Sequence, residues 1–468
     1  MVLGLVASLV VLLELFVPHT IGATDNGDGV RLTCQLQVVI AARGLVTIHY
    51  DSPNHLLPCH SRYVSSALIP LAAGKAVTRA LGLPWALDLR IVGVLYALAF
   101  GVAMGALSLV LPGGALARGL TVSAVTVVAA DISFVQFFIS VYSEAAEFLG
   151  LLAVVVALLA LWRRRPTSGL RLALVVVALL WLGTAKTEDA PLAILTAGAV
   201  VAFTSVTLGR RGSGRLVSRL LPALGLAVVT TVGGLTLAAE PPGFHAMHMY
   251  ADVFYSMLRT SPDPASDLRA LGQPTELARW AGTTYFQPHD ARQDPNYAQF
   301  LKNMSFRKIA DFYLRRPWRL EAPLSSAAQE VVQARDRVSN TPLGSGAPPT
   351  EDCRVCLVSS VGAVAARWGG TLVPVVWVLA MGTGALLLRR RREEEAWTAL
   401  GKVLLLMPVL ALAAMLVSVL GDGEMELVKH VLPATVLTWL VVPLTGLGWT
   451  GLRKQGAQTP TQPHRAQR

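Results

Sequence analysis

The first residues able to do chemistry follow the first apolar run at once: Thr24-Asp25-Asn26-Gly27-Asp28-Gly29. A carboxylate at the mouth of a membrane segment can accept a proton from a hydroxyl; equally, it can be plain solvated loop. Asp131 lies inside a later apolar run, and Tyr142-Ser143-Glu144 follows it, with Glu147 a turn further on. In a continuous helix Phe138 and Tyr142 share the Asp131 face. An ionised Asp in a span costs about 2.5–3.5 kcal/mol, so it faces the bundle interior or water. It is then either a site wall or a packing group.

Cations appear at the ends of other apolar runs. Thr184-Ala185-Lys186-Thr187-Glu188-Asp189 places Lys186 where it could neutralise a phosphate, or simply pair with Glu188 or Asp189. Gly421-Asp422-Gly423-Glu424-Met425-Glu426 is a dense polar turn, and Lys429 and His430 follow it within reach of a surface anion. His245 and His248 stand at i, i+3, a spacing compatible with metal but also common among surface and packing histidines.

The elements that must position these groups are membrane helices. The chain has 468 residues, 53% hydrophobic and only 15% charged, with a mean hydropathy of +0.53. Soluble domains carry about 25% charged residues. Apolar runs predict about ten spans, near 1–19, 89–111, 120–140, 145–162, 170–186, 190–208, 217–239, 361–388, 399–420 and 427–451. The expected fold class is therefore an all-α polytopic membrane protein.

The net charge of +11 has a membrane explanation before a nucleic-acid one. Arg163 to Arg165, the run Arg210, Arg211, Arg215 and Arg219, Arg389 to Arg392, and Arg453 with Lys454 all follow even-numbered spans. The positive-inside trend makes that side cytoplasmic, with both termini on it. No nucleic-acid partner is implied. Segments 20–88 and 240–360 then face outward, and the second balances its acidic and basic residues.

Residues 1–23 read as a retained anchor rather than a cleaved leader, because no Lys or Arg precedes Arg31. The same absence suggests a start codon further upstream. The expected organisation is a transmembrane module over 1–239, an extracytoplasmic helical loop over 240–360, further spans over 361–452, and a tail over 453–468.

The four cysteines fall in the outward segments, Cys34 and Cys59 in one, Cys353 and Cys356 in the other. Two local disulfides are expected, with zinc at Cys353-x-x-Cys356 as the alternative. Stretches 35–46 and 61–82 read as interfacial helices carrying Arg43, Arg62, Lys75 and Arg79. In the large loop, a helix is expected to end at Gly272. Another runs from an N-cap at Ser305 to a stop before Pro317, and a third covers 322–337. Asn303-Met304-Ser305 matches a glycosylation triplet.

Taken together, the acidic pair after the first span, two juxtamembrane helices, about ten spans and a late outer domain resemble the GT-C superfamily of integral-membrane glycosyltransferases. Asp131 with Tyr142-Ser143-Glu144, the Gly421-to-His430 segment, and Ser305 to Pro317 are similar to parts of bacterial cell-surface glycan hexose transferases of that superfamily. The resemblance implies a polyprenyl-phosphate-linked sugar donor, a glycan or protein acceptor, contact with membrane lipid, and an extracytoplasmic site in a bacterial plasma membrane. It implies a catalytic carboxylate at Asp25 or Asp28, with Glu144 orienting the acceptor or a divalent ion. Lys186, Lys429, His430, Tyr142 and Asp131 are expected around the lipid phosphate. Members of the superfamily differ in metal use, so a divalent cation stays open. The alternative is a flippase or transporter of lipid-linked glycans, whose site would lie near the midplane.

Overall fold

A computed structural model of the chain describes residues 1–23, 27–41, 48–57, 59, 63–163, 168–204, 215–240, 242–334, 340–342 and 354–456. Among them helices dominate. Apolar solvent leaves backbone polar groups nothing to bond, so long apolar runs satisfy them internally by coiling.

Among the described residues, six helices are long and apolar enough to cross a membrane: Leu89–Val110, Glu144–Trp162, Leu220–Ala238, Leu357–Arg390, Glu395–Gly421 and Leu432–Arg453. The bent pair Ala115–Ala129 and Ile132–Phe138 makes seven if it is one span. Val2–Phe16, Gly169–Gly183 and Ala190–Phe203 have 15, 15 and 14 residues. At 1.5 Å per residue these reach only about 21–23 Å, short of a hydrocarbon core of about 30 Å. Hydropathy counted about ten runs; helix length supports a multi-pass protein of six or seven full spans plus shorter apolar helices.

Glu144–Trp162 is the central helix, with 83% of its apolar window buried. It packs on Gly169–Gly183, Glu395–Gly421 and Leu89–Val110. Small residues bring other helices close: a Cβ on Gly384 would lie 2.7 Å from the Gly401 carbonyl oxygen.

The bend at Asp131, 58° between its two helices, corrects the continuous helix expected there. The Asp131 carboxylate caps the second piece, accepting from the Ser133 N–H at 3.0 Å. Its other oxygen accepts from the Val358 and Ser359 N–H groups at 2.7 and 3.2 Å. Asp131 is thus a fully buried bracket between two helix starts. Charge-assisted hydrogen bonds contribute about 1.5–3 kcal/mol each. Asp131→Ala is therefore expected to cost at least about 3 kcal/mol, read as a lower midpoint of thermal unfolding in detergent.

The segments between the apolar helices are helical with two small antiparallel sheets among the described residues. Ile21–Ala23 pairs with Asn340–Pro342, and His49–Asp51 lies between Val39–Ile40 and Leu87–Asp88. The first interfacial helix is Val30–Leu36, earlier than expected; it stops where Gln37 turns left-handed at φ 51°. Val39–Ile40 is strand rather than helix. The second interfacial helix is Leu68–Ala80, inside its expected range. Its Lys75 donates to the Leu36 carbonyl at 2.6 Å, and Arg43 and Arg62 lie outside the described residues. Cys34 is bonded to Cys59 as expected. Cys356 is also in a disulfide, which removes it as a zinc ligand; Cys353 lies outside the described residues.

Residues 242–334 build a second core around Tyr250, Phe254, Phe300 and Phe312. Ser305 caps Phe306–Arg315 as expected, its Oγ accepting from the Lys308 N–H. Pro264–Ala270 ends just before Gly272, and Glu321–Gln333 fills the third expected helix up to Ala334.

Candidate functional site

A cavity of about 600 Å³ opens where the segment after the first apolar helix, several helix ends and the domain over 242–334 meet. The short helix Val30–Leu36 and the turn before it bring Asp28 and Arg31. The start of Glu144–Trp162 brings Tyr142 and Glu144. The turn after Gly169–Gly183 brings Lys186 and Glu188. The end of Glu395–Gly421 brings Asp422, and the short helix Leu427–His430 brings Lys429 and His430. Pro242–Tyr250 adds His248 from the outer domain.

Charges alternate across this cavity. Lys429 Nζ lies 2.9 Å from Asp28 Oδ2 and 2.5 Å from Glu426 Oε2. The same ammonium stands 5.3 Å from the centre of the Tyr142 ring. Lys186 pairs with Glu144 Oε1 at 3.3 Å and with Glu188 Oε1. His430 Nδ1 lies 3.0 Å from Glu188 Oε2 and 3.3 Å from Asp422 Oδ2. His248 Nδ1 lies 3.0 Å from Asp422 Oδ1 and 3.3 Å from Glu240 Oε1. The Arg31 guanidinium sits between the Tyr63 and Phe244 rings, at 4.7 and 4.3 Å from their centres.

These pairings set protonation. Burial alone would raise the Asp28 carboxyl, but the Lys429 ammonium and its hydrogen bond outweigh burial and hold it below the usual Asp range. Burial likewise opposes ionisation of Glu188, yet His430 and Lys186 keep it well below the usual Glu range. His248 is pushed up to about 9: burial acts against its charge, and Asp422 and Glu240 overcome that.

Of the residues expected at a site, Asp28, Tyr142, Glu144, Lys186, Lys429 and His430 all line this one cavity. Asp25 lies outside the described residues. Asp131 does not line the cavity, because backbone N–H groups consume both its oxygens. His245 does not line the cavity; it is half exposed, packs edge-on against Phe306 and meets His248 only through the shared Glu240 carboxylate, at 3.9 Å. Glu188 and Asp422 had appeared only as local partners and turn residues, and Arg31 only as the first basic residue. Their clustering at span ends was the available signal. Among the described residues, Glu188, Asp422 and His430 also bring ligand atoms within 4.8 Å of one another, as a metal would require.

The turn that delivers Asp422 depends on Gly423, at φ 64°. A Cβ there would lie 2.3 Å from Ser256 Oγ and 3.0 Å from the Ala251 carbonyl oxygen. Left-handed strain costs a non-glycine residue about 1–2 kcal/mol before any clash. Gly423→Ala is expected to lower thermal stability by at least that amount, measured by the unfolding midpoint in detergent.

The family profile described as the YfdI N-terminal transmembrane domain matches residues 1–446. The chain belongs to that family. The YfdI-type match covers every element that lines the cavity, from Asp28 to His430. No curated protein and no solved structure matches the chain.

Proposed function

We propose that this YfdI-family protein is a membrane glycosyltransferase of GT-C type. It moves a sugar, a hexose, from a polyprenyl-phosphate donor to a cell-surface glycan or protein on the extracytoplasmic face. The observation that carries this reading is the single cavity in which the Asp28 carboxylate meets Lys429 beside Arg31, Lys186 and His430. Sugar transfer needs a carboxylate to take the acceptor proton. It also needs cations placed in advance for the phosphate that leaves.

Asp25 and Asp28 are the candidate bases, and Glu144 orients the acceptor. Lys429, Arg31 and His430 receive the lipid phosphate, with Lys186 and Tyr142 completing that wall. Tyr63 and Phe244 hold the Arg31 guanidinium between their rings, which keeps it extended toward the cavity. The apolar part of the lining, including Leu416, Val417, Leu420 and Leu237, suits the first isoprene units of a lipid.

The distribution of arginines supports this orientation. Arg163 and Arg453 lie toward the ends of the helices that begin beside Glu144 and His430, and Arg389 and Arg390 end Leu372–Arg390, just before the start of the helix that runs to Asp422. The positive-inside trend favours a cytoplasmic position for those arginines and an outward one for the cavity. The acids gather at helix ends rather than at a midplane break, which favours transfer over transport.

Purified protein supplied with polyprenyl-phosphate sugars and an envelope glycan acceptor should release the lipid phosphate and extend the acceptor. Movement of the lipid across liposomes with no turnover would instead make the protein a transporter.

A further inference from the structure

We propose that Glu188, Asp422 and His430 form a binding site for one divalent metal ion of the zinc type, with His248 orienting Asp422 and the open coordination position turned to the cavity. The site draws on three separate parts of the chain: the turn before Ala190–Phe203, the end of Glu395–Gly421, and the short helix Leu427–His430. Nothing in local folding requires these groups to converge.

Their spacing comes close to that of ligands, a few tenths of an ångström tighter for one pair. Two atoms about 2.0–2.2 Å from one zinc in tetrahedral geometry lie about 3.3–3.6 Å apart. His430 Nδ1 lies 3.0 Å from Glu188 Oε2 and 3.3 Å from Asp422 Oδ2, and the three ligand atoms lie within 4.8 Å of one another. One imidazole nitrogen and two carboxylate oxygens are a donor set suited to zinc, and three protein ligands leave the fourth position open.

A second observation points the same way. Asp422 is 5% exposed. Its Oδ1 lies 3.0 Å from His248 Nδ1 and its Oδ2 3.3 Å from His430 Nδ1, so His248 holds the carboxylate in place while Oδ2 faces the site. His248 in turn faces Glu240 at 3.3 Å. Both carboxylates share His248 Nδ1, and a partner outside the site that fixes a ligating carboxylate is the usual outer support of a metal ligand.

Lys186 does not close the site. It pairs with Glu188 through Oε1 and with Glu144, while Oε2 faces His430. The metal site itself is independent of the proposed sugar transfer. Only the occupant of the open position, a phosphate oxygen of the donor, rests on that reading.

The test uses the full chain in detergent, stripped with a chelator and dialysed against micromolar Zn²⁺, with Mg²⁺ as a control. Metal content and titration calorimetry should show one Zn²⁺ per chain. His248→Ala should weaken binding about 10–100-fold, as loss of an outer-shell partner does. His430→Ala and Asp422→Asn should abolish stoichiometric binding. Substitution with Co²⁺ gives an independent readout, a visible absorption band that His430→Ala should remove. The proposal is overturned if the stripped wild type takes up no stoichiometric Zn²⁺. It is also overturned if His430→Ala, eluting as a folded monodisperse species, binds Zn²⁺ and Co²⁺ as the wild type does. Binding of Zn²⁺ without sugar transfer would leave the metal site standing and remove the proposed function alone.

Discussion

Asp28→Asn is expected to lower the turnover of lipid-phosphate sugar by about 10²–10⁴-fold, the range that a positioned general base contributes. The unfolding midpoint should move far less, because Asp28 is partly open to the cavity. Its partner Lys429 also keeps a second carboxylate, Glu426, at 2.5 Å. In the unliganded protein Asp28 is a weak base, since Lys429 holds its carboxyl low. Donor binding changes that balance. A phosphate beside Lys429 competes for the ammonium and adds negative charge near Asp28, and both effects raise its proton affinity. The base is therefore strengthened by the substrate it serves. This predicts that Lys429→Met loses activity by a comparable factor, in kcat as well as KM. Single-turnover rates and donor affinity, measured separately, check the split. Asp25→Asn measured in parallel decides which acid acts. Unchanged turnover in both Asp25→Asn and Asp28→Asn would remove the mechanism.

Much of this cavity was legible because it is built from anomalies. A lysine at the outer end of an apolar run, or a Lys-His pair opening one, has no role in spanning a membrane. Lys186, Glu144, Lys429 and His430 were visible for that reason. Their partners were not, because hydropathy gives the ends of helices without saying which ends meet. Asp28 and Lys429 are 401 residues apart in the chain, and His430 and Glu188 are 242 apart. His248 reaches the site from an outer domain whose docking no periodicity encodes. Asp131 shows the converse failure. Its burial was foreseen from its place in an apolar run, but no Pro or Gly within Val125–Val135 announced the bend. The carboxylate itself makes the break, by capping one helix and receiving the start of another. The same logic limits span counting: apolar runs of 14 or 15 helical residues score as spans by composition but are short for one by length.

Lys186→Met is expected to be the most destabilising change in the cavity. The side chain is 5% exposed and pairs with Glu144 and Glu188. Glu147 and Asp189, both fully buried, also feel its charge. Removing one partner of a buried ion pair costs about 3–5 kcal/mol, because the remaining charge stays in a poor solvent. Here two carboxylates, Glu144 and Glu188, lose the same ammonium together, so the loss belongs at the upper end of that range. Low yield and a lower unfolding midpoint in detergent are the readouts. Lost packing alone would give the same drop, so a double variant separates the causes. Lys186→Met combined with Glu188→Gln removes one unpaired charge along with the cation. The pair should recover about 1–3 kcal/mol relative to additivity, as directly coupled residues do. Strict additivity of the two single changes would show that Lys186 acts by volume rather than by charge. Recovery of stability without recovery of sugar transfer would separate its two tasks, holding the acidic turn together and presenting positive charge to the lipid phosphate.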